Sequence, residues 1–164
     1  MTTQTTDFWR LFKPPACAVD LKANEFPAVF EEIVGNMIRA KVLEPGLESA
    51  AVRTLVEREK LASTGVGMTV AIPHVAVDGV ESVALSVSVS NSGIDWAAID
   101  GEPVHVVFTV LRPSADTPDH DADRHLEMMR WISRLARHED FRRFAVAART
   151  RTELVDLLKE MSGV

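Results

Sequence analysis

The chain has 164 residues, 46% of them hydrophobic and 26% charged, which suits one domain with a buried core and excludes a disordered protein. Its net charge of -6 opposes a phosphate backbone. The densest basic stretch, Arg142, Arg143, Arg149 and Arg151, reads as a helix and its end without an aromatic platform, so no nucleic-acid partner is expected.

Met1–Asp7 is polar, lacks the apolar core of a signal peptide, and reads as a flexible tail ahead of one domain over 8–164. Cys17 is the only cysteine, so neither an intrachain disulfide nor a cysteine cluster for zinc can form. No apolar run approaches bilayer-spanning length, and the expected location is the cytoplasm, without membrane insertion.

A first helix is expected to begin at Asn24 as N-cap, with Pro27 in its first turn. Val29, Phe30, Ile33, Met37 and Ile38 then recur at helical spacing. Pro45 and Gly46 break that pattern, and a second helix runs from about Leu47 to Lys60. Leu47, Ala51, Leu55 and Arg58 lie close to one stripe of it, which puts an arginine at the end of a buried face.

The middle third changes period. Val70–Val75 is short and apolar, with Pro73 marking an edge or a strand end. In Ser82–Ser90 the residues Val83, Leu85, Val87 and Val89 alternate with serines and Ala84, giving a strand with one apolar and one small-residue face. Val104–Leu111 is apolar at nearly every position and reads as a strand buried on both sides. After a polar loop from Pro113 to Asp123, Leu126, Met129, Ile132, Leu135 and Ala136 mark a helix. Trp131 reads as a packing residue, and Met128–Met129 as core and helix surface. Phe141–Ala148 is a shorter helix. Thr150 with Glu153 forms a capping-box pattern for the last one, striped by Leu154, Leu157, Leu158 and Met161 and stopped near Gly163. Helices on either side of a block of strands imply a layered α/β sandwich: a central mixed β-sheet with helices on both faces.

Five histidines are candidates for chemistry: His74, His105, His120, His125 and His138. His105 sits among valines in a strand and reads as a satisfied core or edge residue. His138, in an Arg-His-Glu-Asp turn, reads as solvated. His74 differs, because it follows Gly65-Val66-Gly67 and is stiffened by Pro73. Glycines allow close approach of main chain and ligand, and main-chain N–H groups there can cradle an anion. Ser63 and Thr64 add hydroxyls, and Arg58 adds a permanently charged fork. These residues make a phosphate site, though not a nucleotide-binding loop, since no Gly-Lys-Ser/Thr follows. Asp116, Asp119, His120, Asp121, Asp123 and His125 match no metal-ligand spacing and read as a solvated acidic loop with Asp123 near a helix start.

Arg58-Glu59-Lys60-Leu61-Ala62-Ser63-Thr64-Gly65-Val66-Gly67, followed by Val70-Ala71-Ile72-Pro73-His74, resembles the signature of phosphotransferase-system enzyme IIA domains of the fructose, mannitol and nitrogen-regulatory class. Gly93-Ile94-Asp95-Trp96, Asp100-Gly101-Glu102-Pro103-Val104 and His125-Leu126 extend the resemblance from about Phe8 to the end. It implies that His74 accepts a phosphoryl group, that His125 lies beside it, and that Arg58, Ser63 and Thr64, with Gly65 and Gly67, steady the phosphate. The implied donor is a phosphohistidine on the carrier protein HPr or a paralogue. The implied acceptor is a sugar-specific enzyme IIB component, or none where the role is regulatory. No cofactor or metal is implied.

Such chemistry suits imidazole, about three quarters neutral at pH 7 for an ordinary pKa of about 6.5. Phosphoryl transfer passes through a loose transition state, so the protein chiefly positions groups and neutralises charge. Three departures stand out: Met68-Thr69 where the family usually has a polar residue and glycine, Val75 where glycine is common, and the longer, more acidic 113–123 loop. Two functions remain open on the sequence: a phosphoryl carrier for sugar transport, or a free-standing regulatory module whose phosphorylation state controls partner proteins.

Overall fold

The computed structural model describes residues 7–118 and 120–163; Met1–Thr6 of the expected tail, Asp119 of the acidic loop and Val164 lie outside them. A single five-stranded mixed sheet forms the middle layer. Its strands are β1 (Gly65–Gly67), β2 (Val70–Ala71), β3 (His74–Ala76), β4 (Ala84–Ile94) and β5 (Val104–Arg112). β5 is central. β4 lies antiparallel on one side, with Val87 opposite Phe108. β2 and β3 lie parallel on the other side, with Val70 opposite Val106 and His74 opposite Val110. β1 folds back antiparallel outside β2.

Helices cover both faces, as the sequence implies. α1 (Ala28–Arg39) and α2 (Glu48–Leu61) pack on one face through Phe30, Ile33, Met37 and Leu55 against Ala71, Val75, Val107 and Leu111. α3 (Ala122–Arg137), α4 (Glu139–Ala147) and α5 (Arg151–Glu160) pack on the other through Trp131, Leu135, Phe141 and Leu158 against Val87, Phe108 and Val110. β5 alternates between the two cores, the consequence of its near-continuous apolar run.

Local differences from the sequence reading have physical causes. α1 starts at Ala28 with Pro27 as N-cap, not at Asn24. A residue preceding proline is pushed out of the helical region, so Phe26 cannot belong to the helix. The strand expected over Val70–Val75 is split at Ile72-Pro73. Proline has no N–H for the ladder, but its carbonyl still accepts from Val110 N at 2.9 Å, which holds β3 on β5 across the break. The small-residue face of β4 is buried too, and the chain after Ala16 runs alongside the strand, with Ala18 bridging to Ser88 in parallel. Ser86 Oγ donates to the Ala16 carbonyl at 2.7 Å. α3 buries Met128, Trp131, Ile132, Leu135 and Ala136, whereas Leu126, expected in that stripe, is 49% exposed. His138 is not simply solvated: it N-caps α4, and its Nδ1 is buried without a partner among the described residues. The Thr150 cap is as expected, its Oγ accepting from Glu153 N at 3.0 Å.

Candidate functional site

His74 opens β3 and presents an exposed ring. Its Nδ1 lies 2.7 Å from the Ile72 carbonyl oxygen. A carbonyl only accepts, so Nδ1 carries the proton, and the neutral ring keeps its lone pair on Nε2. Pro73 shapes this contact. With φ locked by the pyrrolidine ring, the main chain turns Ile72 C=O back towards the side chain that follows.

The parallel register sets His74 opposite Val110 and Ala76 opposite Arg112, so the end of β5 brings Arg112 to the same edge of the sheet. After the 113–121 loop the chain re-enters as α3. Asp121 is its N-cap, accepting from Arg124 N at 3.0 Å, and His125 stands in the first turn. His120, in the loop, places its ring centroid 6.1 Å from that of His125. The His125 ring is half-buried and its pKa is held below the ordinary 6.5. Burial is the largest cause, and the positive charges of Arg112, His120 and His74 act in the same direction. The carboxyl end of β5 therefore gathers histidines and an arginine around one open imidazole. Such a cluster is unfavourable to further positive charge and receptive to an anion.

The segment before His74 is held rigidly. The Thr64 backbone N–H and Oγ both donate to the Glu59 carboxylate, at 2.7 and 2.6 Å, and Trp96 Nε1 donates to Thr64 Oγ at 3.0 Å. Trp96 packs edge-on against the stacked pair of Phe26 and Phe30 at the start of α1. Ser63 Oγ donates to the Trp96 carbonyl and accepts from Gly65 N. Gly65 is required by close approach, since a Cβ there would stand 2.7 Å from Ala98 Cβ. Gly67 has φ of 92°, and Met68 and Thr69 follow in the same left-handed region at 56° and 67°. Met68 N donates to Asp100 Oδ2 at 2.9 Å, and this bond with that from Glu102 N keeps the Asp100 carboxyl below its usual range. Arg58, half-buried at the end of α2, donates from Nη1 to the Ala62 carbonyl at 2.7 Å.

The structure thus draws His74 and His125 to one edge, and ties Ser63, Thr64, Gly65 and Gly67 into a brace beside it. Of the main-chain N–H groups at the glycines, expected to cradle an anion, that of Gly65 is committed to Ser63 Oγ, and the flanking N–H groups of Thr64 and Met68 are committed to Glu59 and Asp100. Arg112 and His120 were not singled out as phosphate partners by the sequence. An arginine closing an otherwise apolar strand was the one available signal for the former. His105 lies at the opposite end of β5, its Nδ1 bonded to the Ser90 carbonyl at 2.8 Å. Among the described residues no group of three or more His, Cys, Asp or Glu side chains is placed to hold a metal ion.

Residues 10–161 match the family described as phosphoenolpyruvate-dependent sugar phosphotransferase system, EIIA 2. The chain belongs to that family. A fructose-specific EIIA component of Haloferax volcanii is 36% identical over 112 residues, covering 68% of this chain and 70% of that protein. The nitrogen regulatory protein IIA-Ntr of Neisseria meningitidis superposes with a TM-score of 0.77 at 25% identity, covering 93% of this chain and 99% of that one. Escherichia coli enzyme IIAMTL, solved with phosphorylated enzyme IIBMTL, shares the fold with a TM-score of 0.69 at 14% identity, covering 91% and 97%. This is an EIIA-type phosphoryl carrier domain, and no helix of its described residues is long and apolar enough to cross a membrane.

Proposed function

We propose that this EIIA domain carries its phosphoryl group on His74 Nε2. The observation that carries the reading is the Nδ1 contact to Ile72 O, which aims the free lone pair of an exposed ring outwards. The incoming Nε2 lone pair forms the new P–N bond. The donor's P–N bond breaks with its electron pair left on the donor nitrogen, and the Nδ1 proton stays on His74. Arg112 neutralises the arriving oxygens and His125 donates a hydrogen bond to them, with His120 behind. A preorganised cation lowers the barrier without moving at the moment of reaction. Arg58 supports the site from the end of α2, where its Nη1 holds the Ala62 carbonyl ahead of Ser63. Ser63, Thr64, Gly65 and Gly67 act by bracing the segment that leads into His74.

The donor in this reading is an HPr-like phosphohistidine carrier in the cytoplasm, and the acceptor is an enzyme IIB component. A regulatory role without onward transfer is the second reading, favoured by the near-complete overlap with IIA-Ntr. The test is labelling from phosphoenolpyruvate through enzyme I and the HPr-like carrier. Acid-labile, base-stable phosphate is expected on the wild type and absent from His74→Ala. Undiminished label on that variant would move the acceptor elsewhere. A pull-down comparing wild type, His74→Ala and His74→Asp then separates carriage from regulation.

A further inference from the structure

The ring of His125 borders open space. Its aromatic contact among the described residues is with His120, 6.1 Å between centroids and tilted by 54°. It also lines a hollow of about 230 Å³, shared with Phe8, Leu11 and Met128 and with the charged groups of Glu81, Asp121 and Arg124. A ring beside a hollow keeps its place only if the backbone beneath it is fixed.

Two anchors fix that backbone. One is local, the cap that Asp121 forms on Arg124 N. The other joins residues 117 apart in sequence. The Arg124 guanidinium lies 4.7 Å over the Phe8 ring, and its Nη2 donates to Asp7 Oδ1 at 3.2 Å. Phe8 opens the 3-10 turn Phe8–Leu11, is buried, and leans on Trp131 of α3 with 5.8 Å between ring centroids. The clasp therefore ties the first turn of α3 to the part of the helix already packed in the core. Arg124 breaks a local rule, because a cation in the first turn opposes the positive end of the helix dipole. Asp7 compensates for it, as does the stacking of a planar cation on a ring. Its charge acts away from His125: the positive charges that hold the ring's pKa down are those of Arg112, His120 and His74.

We propose that Arg124, clasped by Asp7 and Phe8, is a positioning residue that holds the first turn of α3 so that the His125 ring stays beside His74. The inference rests on the carrier reading above and adds what keeps the second histidine in place. His125 can give a hydrogen bond to a phosphoryl oxygen only from a fixed position, and a displacement of about 1 Å is enough to weaken it severely. Asp7 and Phe8 thereby serve the reaction, although they lie far in sequence from the motif that ends in His74.

The test compares Arg124→Ala and Phe8→Leu with the wild type, each alone and combined with His125→Gln. Phe8→Leu keeps both charges and the apolar bulk, and removes the ring on which the guanidinium rests. Labelling through enzyme I and the HPr-like carrier should slow by about fivefold in either variant, the size of one cation–ring contact with one exposed ion pair. In the His125→Gln background the same substitutions should change the rate by less than about twofold, because no imidazole is left to position. The titration of His125, followed by histidine-detected NMR, gives a reading independent of transfer. A ring released towards solvent and away from Arg112 should titrate closer to the ordinary 6.5 in Phe8→Leu, where no charge has changed. Unchanged rates, an unmoved titration in Phe8→Leu, or slowing of equal size with and without His125 would each overturn the clasp. Should His125→Gln take no label, the single variants and the titration decide. No label on the wild type would remove the carrier reading, and the titration would still decide whether Arg124 places His125.

Discussion

On the proposed reading, the ring of His74 and its neighbours decide the chemistry one side chain at a time. Neutral His125 is a consequence of burial and of three nearby positive charges, so its protonation reports on what sits beside it. Phosphorylation of His74 as proposed would set a dianion beside His125, which must raise the His125 pKa. Histidine-detected NMR titration should show that rise, and a smaller one in Arg112→Ala. Unchanged titration in both would separate His125 from the phosphoryl group. The same shift couples to stability. The unfolded chain takes up the His125 proton near pH 6.5, whereas the folded chain does so only at lower pH. Its stabilising contribution is therefore complete above pH 6.5 and is lost as the pH falls towards the folded value. The urea midpoint should drop more between pH 7.5 and 5.5 for the wild type than for His125→Gln.

At the scale of elements, the hairpin of β1 and β2 is built around backbone constraints that composition alone does not reveal. Gly65 reads from the sequence as a loop glycine open to ligand, yet in the fold it is a strand residue pressed against Ala98. Gly65→Ala should cost roughly 1–3 kcal/mol in urea denaturation, because the clash is with a backbone-proximal methyl that cannot swing away. Thr69 is a β-branched residue at φ of 67° whose carbonyl accepts from His105 N and Val106 N. Thr69→Gly should raise stability by about 1 kcal/mol, the relief of the left-handed penalty less the flexibility added to the unfolded chain. A loss of stability would show that the threonine hydroxyl, bonded to the Met68 carbonyl, outweighs the strain. The capping pattern of α5 was legible in Thr150 and Glu153 because a cap is a contact within one turn. The start of α1 was misplaced because the restriction Pro27 imposes on Phe26 outweighs the capping preference of Asn24.

The whole molecule is two hydrophobic cores on opposite faces of one sheet, and Cys17 sits in the one beneath α3, α4 and α5. Burial pushes its thiol up to about 11, opposed by a backbone hydrogen bond from Val87 and the charge of Arg151. A thiol this protonated and enclosed is inert in the native state. Its reaction with a disulfide reagent should be slow at pH 8 and should accelerate along the same denaturant curve as the loss of circular dichroism. Fast labelling in native buffer would mean that the 14–18 segment opens locally.

The chain order of amino acids by itself settled the alternation of helix and strand, the apolar double-sided β5 and the motif ending in His74, because these depend on periodicity and on residues adjacent in sequence. It also carried the family through that motif. Only the tertiary structure decided that Arg112 and His120 join His125, that the Ser63 and Thr64 hydroxyls turn towards Trp96 and Glu59, and that Leu126 faces outwards. Those outcomes depend on which strand lies beside which and on how far α3 is rotated about its axis. Strand pairing and helix rotation are set by the packing of distant side chains, which no local pattern records.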